Sequence, residues 1–222
     1  MLDLLKQSFS EKRMSTYVNI AHEKSLDEEY AVELYKINIL ICEELYAFIS
    51  CIEVCLRNRI HNKMIELTNN ENWFDTITWL DIHKNGLVEA KKPKYNGEPA
   101  PSSNDIISRL NFGFWCHIFD ASYEQAFWVP CLRFIFPNYI GKPNRKHVAK
   151  AFKDLLIIRN RIAHFEPVIK NEANLLKIYN QMVEVMNWMC PDVYSWFETF
   201  NKFKEFYKKL KENSFANEEK IK

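Results

Sequence analysis

The chain has 222 residues, 47% of them hydrophobic, with a formal charge of +1 at pH 7. That length suits one substantial core, in one domain or one domain with an elaboration. The near-neutral charge argues neither for a strongly basic nucleic-acid coat nor for a membrane-surface protein, so any RNA binding must rely on a local patch.

With 4 Gly and 8 Pro the chain has few turn signals for an all-β fold, whereas 16 Phe, 10 Tyr and 6 Trp supply bulk for packing between helices. The six cysteines are scattered and read as free thiols in a reducing cytoplasm. Met1-Leu2-Asp3-Leu4-Leu5-Lys6 lacks a signal-peptide apolar core, and no stretch runs long enough without charge to span a bilayer. A soluble, cytoplasmic protein without a membrane partner is expected.

In chain order, Ser10-Glu11-Lys12-Arg13 starts a helix running toward His22, with Met14, Tyr17, Val18 and Ala21 on its apolar face. Ser25-Leu26-Asp27-Glu28 has the spacing of a capping box, predicting a second start and a helix from about Leu26 to Leu67. Along it Leu34, Ile37, Ile41, Leu45, Phe48, Ile52, Cys55 and either Leu56 or Ile60 recur every three or four residues as a core-facing stripe. A run of roughly 40 residues is long for one globular helix, so a bend or break is expected. Asn69-Asn70-Glu71-Asn72 ends it, and Trp73, Phe74 and Trp79 dock the next segment.

Residues 83 to 105 read as the main polar loop, with Leu87 to Lys91 able to form a short helix inside it. Ser103 or Asn104 caps a helix through Phe119, and Gly113 inside it suggests a close approach of another backbone. From Tyr123 to Ile140, Pro130 and Pro137 break an aromatic-rich segment into short helices and turns. Pro143 or Asn144 opens a helix with Val148, Phe152, Leu155, Ile158 and Ile162 inward. Two further helices carry Leu175, Ile178, Met182, Val185 and Met189, then Val193, Trp196, Phe197, Phe200, Phe203 and Leu210. Lys211 to Lys222 reads as a frayed tail. The whole is expected to be one all-α domain, a helical bundle with additional helices and one long polar loop.

The helix opened near Pro143 ends in Arg159-Asn160-Arg161-Ile162-Ala163-His164-Phe165-Glu166-Pro167. Asn160 and His164 are four apart and share a face, while Arg159 must use its long side chain to join them. Pro167 stops the helix close to His164, where the helix dipole favours a protonated imidazole. Residue chemistry alone favours a capped, hydrogen-bonded helix terminus without catalysis.

Arg-Asn with His four residues after the Asn, in this setting, resembles the Abi-like (abortive infection) branch of the HEPN superfamily. Ile52-Glu53-Val54-Cys55-Leu56-Arg57-Asn58-Arg59-Ile60-His61, Leu110-Asn111-Phe112-Gly113-Phe114-Trp115 and Phe136-Pro137-Asn138 are similar to other segments of that family, in the same order. The likeness spans roughly residues 10 to 190. It implies a HEPN-like bundle and a metal-independent endoribonuclease without cofactors, in phage defence or as a toxin restrained by an RNA or protein antitoxin.

RNA is cut without metal when its 2′-hydroxyl attacks the adjacent phosphate. That step needs a base, an acid for the leaving 5′-oxygen, and positive charge on the phosphoryl oxygens. The resemblance gives Arg159, Asn160 and His164 these tasks: Arg159 forks onto the phosphate, His164 carries a proton, and Asn160 orients either. Similar enzymes set two copies of the motif against each other, so a homodimer with a composite site is implied.

Glu53, Arg57 and His61 lie on one helix stripe, either as a surface ion pair or as supports of the motif, with Arg59 and Lys63 extending a basic surface. Arg161 either faces solvent or binds phosphate. Members of the branch often carry His-His-Glu-Pro where this chain has His164-Phe165-Glu166-Pro167, so a second adjacent imidazole is missing. Glu166 stands where a toxin subgroup carries a modifiable Tyr, which argues against that mode of inhibition. His22, His83, His117 and His147 have no ligand-like companions, and no metal site is expected.

Overall fold

The structure, a computed structural model, describes residues 1–215. Those residues form an all-α fold without a strand among them. Ten α-helices follow in order: α1 (Leu2–Phe9), α2 (Glu11–Glu23), α3 (Tyr30–Thr68), α4 (Asp81–Ala90), α5 (Ser103–Arg109), α6 (Phe112–His117), α7 (Arg145–Ala163), α8 (Glu172–Met189), α9 (Pro191–Glu198) and α10 (Phe203–Phe215). No described helix is long and apolar enough to cross a membrane. The described residues divide into two compact units, the first comprising residues 1–49, 158–182 and 195–215, the second residues 50–157 and 183–194.

In the first unit, Ser10 caps α2 by accepting the Arg13 amide, and Met14, Tyr17, Val18 and Ala21 are buried as the sequence pattern requires. The expected capping box at Ser25 does not form. Ser25 has φ +55°, its amide bonds to His22 O and that of Leu26 to Ala21 O, so this segment closes α2 in a Schellman turn. Helix α3 begins later, at Tyr30. Phe48 stacks on Phe197 and Tyr179 on Phe203, joining α3, α8, α9 and α10 in an aromatic core.

The helix expected after Pro191 is in fact two. Glu44 accepts from Asn201 Nδ2 at 2.8 Å and from the Lys202 amide at 2.9 Å, which draws the chain out of helical geometry between α9 and α10. Phe197, Phe203 and Leu210 face inward, whereas Trp196 and Phe200 are exposed. Helix α10 continues through residues expected to fray, to Phe215; the rest of the expected tail lies outside the described residues. The N-terminal helix α1 was not legible in the apolar pattern.

In the second unit α3 runs unbroken to Thr68. Leu56 and Ile60 are its inward residues, and Cys55 is only half-buried. Trp73, Phe74, Phe114, Trp115, Phe119, Phe127 and Phe152 fill the core. Helix α4 takes the first half of the expected loop and includes Gly86, leaving residues 91–102 as the polar connection. Ser102 and Asp105 make a capping box for α5. The single helix expected through Phe119 breaks at Leu110, whose backbone is extended, and Asn111 caps a new start by accepting the Phe114 amide. Gly113 is explained by that cap: a Cβ there would stand 3.1 Å from Asn111 Oδ1. Asn144 caps α7 through the His147 amide, and Val148, Phe152 and Leu155 are buried along it.

Candidate functional site

The motif closes α7 within the first unit. Ile158 and Ile162 point into the core, which turns Asn160 and His164 outward and leaves Arg159 half-buried. Arg159 Nη1 donates to Asn160 Oδ1 at 3.3 Å, so the long side chain reaches Asn160, while neither residue is hydrogen-bonded to the His164 ring. The His164 imidazole is exposed and makes no hydrogen bond among the described residues; its carbonyl accepts from Arg13 Nη2 at 3.3 Å.

The helix stops in a Schellman turn. Phe165 N–H bonds to Ile162 O at 3.0 Å, Glu166 N–H to Arg161 O at 3.0 Å, and Phe165 sits at φ +48°. That angle is natural for Gly and strained for an aromatic residue. Contacts from elsewhere in the unit hold it. Asn38, fully buried on α3, accepts from the Val168 amide at 2.9 Å and donates to Glu166 O at 3.2 Å and Phe165 O at 3.5 Å. One amide side chain thus satisfies the backbone on both sides of Pro167, which has no donor of its own.

Arg161 is spoken for locally: Nε pairs with Glu166 at 3.1 Å and Nη2 reaches Pro167 O at 3.4 Å. Its half-exposed guanidinium also borders a cleft of about 550 Å³ with Thr16, Lys170, Asn171 and Asn174. On the other side of the turn, Cys42, Glu43, Tyr46, Ile162, Ala163 and Phe165 surround a smaller groove of about 220 Å³. Burial pushes the Cys42 thiol up to about 12, with Arg161 opposing the rise, so this thiol stays neutral near pH 7.

Glu53, Arg57 and His61 belong to the second unit. Arg57 Nη1 donates to Ser108 O at 3.4 Å, and His61 is buried with its Nδ1 accepting the Trp73 indole N–H at 3.0 Å. Burial lowers the His61 pKa, so the ring is the neutral acceptor that Trp73 needs. Arg59, expected on a basic surface, donates through Nε to Ile135 O at 2.9 Å.

Sequence reasoning missed Asn38 and Arg13. A signal for Asn38 was present: it falls four residues after Leu34 and three before Ile41, a polar residue on the buried stripe, which demands partners. No group of three or more His, Cys, Asp or Glu among the described residues is placed to hold a metal ion. Comparison with family models, curated proteins and solved structures finds no match to the chain.

Proposed function

We propose that the chain is a HEPN-type, Abi-like endoribonuclease that works without a metal ion, in phage defence or as a toxin. The observation that carries this reading is the pairing of Arg159 with Asn160 on the outward face of α7, above a terminus where the His164 ring is open to solvent.

In the proposed reaction the 2′-hydroxyl of RNA loses its proton to a base and attacks the adjacent phosphorus. The new O2′–P bond forms as the P–O5′ bond breaks, and an acid gives a proton to the departing 5′-oxygen. The products are a 2′,3′-cyclic phosphate and a 5′-hydroxyl. Arg159 neutralises the phosphoryl oxygens, Asn160 holds its guanidinium, and His164 moves a proton. One chain offers one such imidazole, so two copies meeting about a twofold axis supply acid and base together. The cleft bordered by Arg161 and Lys170 suits the RNA backbone on either side of the cut. An RNA or protein antitoxin that restrains the enzyme would act by covering this surface.

The freedom of the His164 ring also favours a second reading, a non-catalytic RNA-binding module on the same fold, because nothing among the described residues orients the imidazole for proton transfer. Incubation of the purified chain with RNA in EDTA, followed by mapping of RNA ends, separates the two. Cleavage that leaves cyclic phosphate ends and falls by roughly 10²- to 10⁴-fold in His164→Ala supports the nuclease. Cleavage abolished by EDTA, or unchanged in His164→Ala, counts against it, and tight binding without cleavage by the wild type supports the binding module.

A further inference from the structure

A cleft of about 560 Å³ in the second unit lies between α4 and the α5–α6 pair. Its size falls within the roughly 300 to 1,000 Å³ of small-molecule sites. The floor is aromatic, with the Phe114 and His83 rings packed edge to face at 75° and a centroid distance of 5.0 Å. Phe114 and His83 are both buried, and Trp79 backs them with ring centroids 5.2 and 5.7 Å away.

Tyr123 Oη accepts the Leu80 amide at 3.0 Å, which leaves its own proton for His83 Nδ1 at 2.8 Å. Burial lowers the His83 pKa, in keeping with a neutral ring.

The rim differs in kind. Arg109 Nη1 donates to Ala90 O at 3.2 Å and Lys92 O at 2.7 Å, which fixes the guanidinium, while Nε and Nη2 have no hydrogen-bond partner among the described residues. Asn111 has spent its Oδ1 on the Phe114 amide, so its free group is the donating NH₂. The one carboxylate on the wall, Glu89, is paired with Lys92. His117 is held through Nδ1 by Asp120, itself paired with Lys153.

Gly86 completes the cleft. A glycine inside a helix is unfavourable, and here nothing in the packing demands it, since a Cβ would meet only Phe114 at an ordinary 3.9 Å. What the missing side chain leaves is space in the cleft.

We propose that this cleft binds a small organic anion with an apolar body, its acid group forked by Arg109 and its body set against the edge-to-face pair of Phe114 and His83. The fixed guanidinium and the free amide NH₂ of Asn111 select an acceptor-rich group, and the apolar floor selects against a bare inorganic ion. The site is independent of Arg159, Asn160 and His164.

Isothermal titration of the full chain with 2-naphthoate, and in parallel with 2-naphthalenemethanol and inorganic phosphate, tests it. Saturable single-site binding of 2-naphthoate is expected, with both comparison compounds weaker by at least roughly tenfold. Arg109→Gln, which loses the fork, and Gly86→Leu, which fills the cleft while favouring the helix, should each weaken 2-naphthoate by a similar factor with circular dichroism unchanged. Should Arg109→Gln fail to fold, Gly86→Leu alone decides. Absence of saturable binding, equal affinity for the neutral alcohol or for phosphate, or unchanged affinity in a folded variant would overturn the proposal.

Discussion

Helices α3 and α7 end at nearly the same backbone angle on residues of opposite tolerance. Asn69 sits at φ +49° and Phe165 at φ +48°. At Asn69 the residue type suits the left-handed region, and the Asn69 amide closes the helix on Ile65 O at 2.8 Å. At Phe165 it does not, and the angle is maintained by Asn38 from α3, with Arg13 on the preceding carbonyl and Arg161 on the following carboxylate. The first turn is set locally and the second by the packed fold. The motif's terminus is therefore held in place by the packed fold, which is how a strained backbone angle is retained.

Removing the buried amide should break this comparison most severely. Asn38→Leu orphans the Val168 amide and the Glu166 and Phe165 carbonyls, and is expected to cost about 3 kcal/mol. Urea unfolding reads the loss, and a change below about 0.5 kcal/mol would mean that the turn holds itself. Next comes the backbone term. Comparing Phe165→Gly with Phe165→Ala cancels most of the lost ring contact, and the Gly variant should be the more stable by about 1 kcal/mol.

At the other helix, Asn69→Ala should cost somewhat less, about 0.5 to 1 kcal/mol, and Asn69→Gly should be nearly neutral in thermal unfolding. The smallest effect belongs to Glu166→Gln. Its partner Arg161 is half-exposed, so the loss in urea midpoint should stay below about 0.5 kcal/mol, and a larger one would move the main support from Asn38 to the ion pair.

The same contrast separates what the chain's pattern declares from what it hides. Buried stripes at helical spacing gave α2, α3, α7 and α8, because their inward residues are apolar and evenly spaced. Helix α4 was hidden by Gly86 and by the polar residues around it, which read as turn formers until Asp81 to Ala90 are seen to pack through His83, Leu87 and Ala90. The division of α9 from α10 depends on Glu44, and the closure of α2 at Ser25 imitates a helix start, since Ser with Glu three later has the same spelling in both settings. At the candidate site, the contact of Arg159 with Asn160 was legible because it is local to one helix. Asn38 was not, because a lone Asn on an apolar stripe announces a buried partner without saying which.

That partner is far away along the chain. The bonds from Asn38 to Phe165, Glu166 and Val168 close loops of 127, 128 and 130 residues. Contacts of such separation carry a high loop-closure entropy and form slowly compared with local helix. During synthesis α3 leaves the ribosome long before Val168 exists, so the terminus bearing His164 cannot be locked while three-quarters of the chain is still being made. The partner that fixes the turn is thus made long before the segment that it fixes.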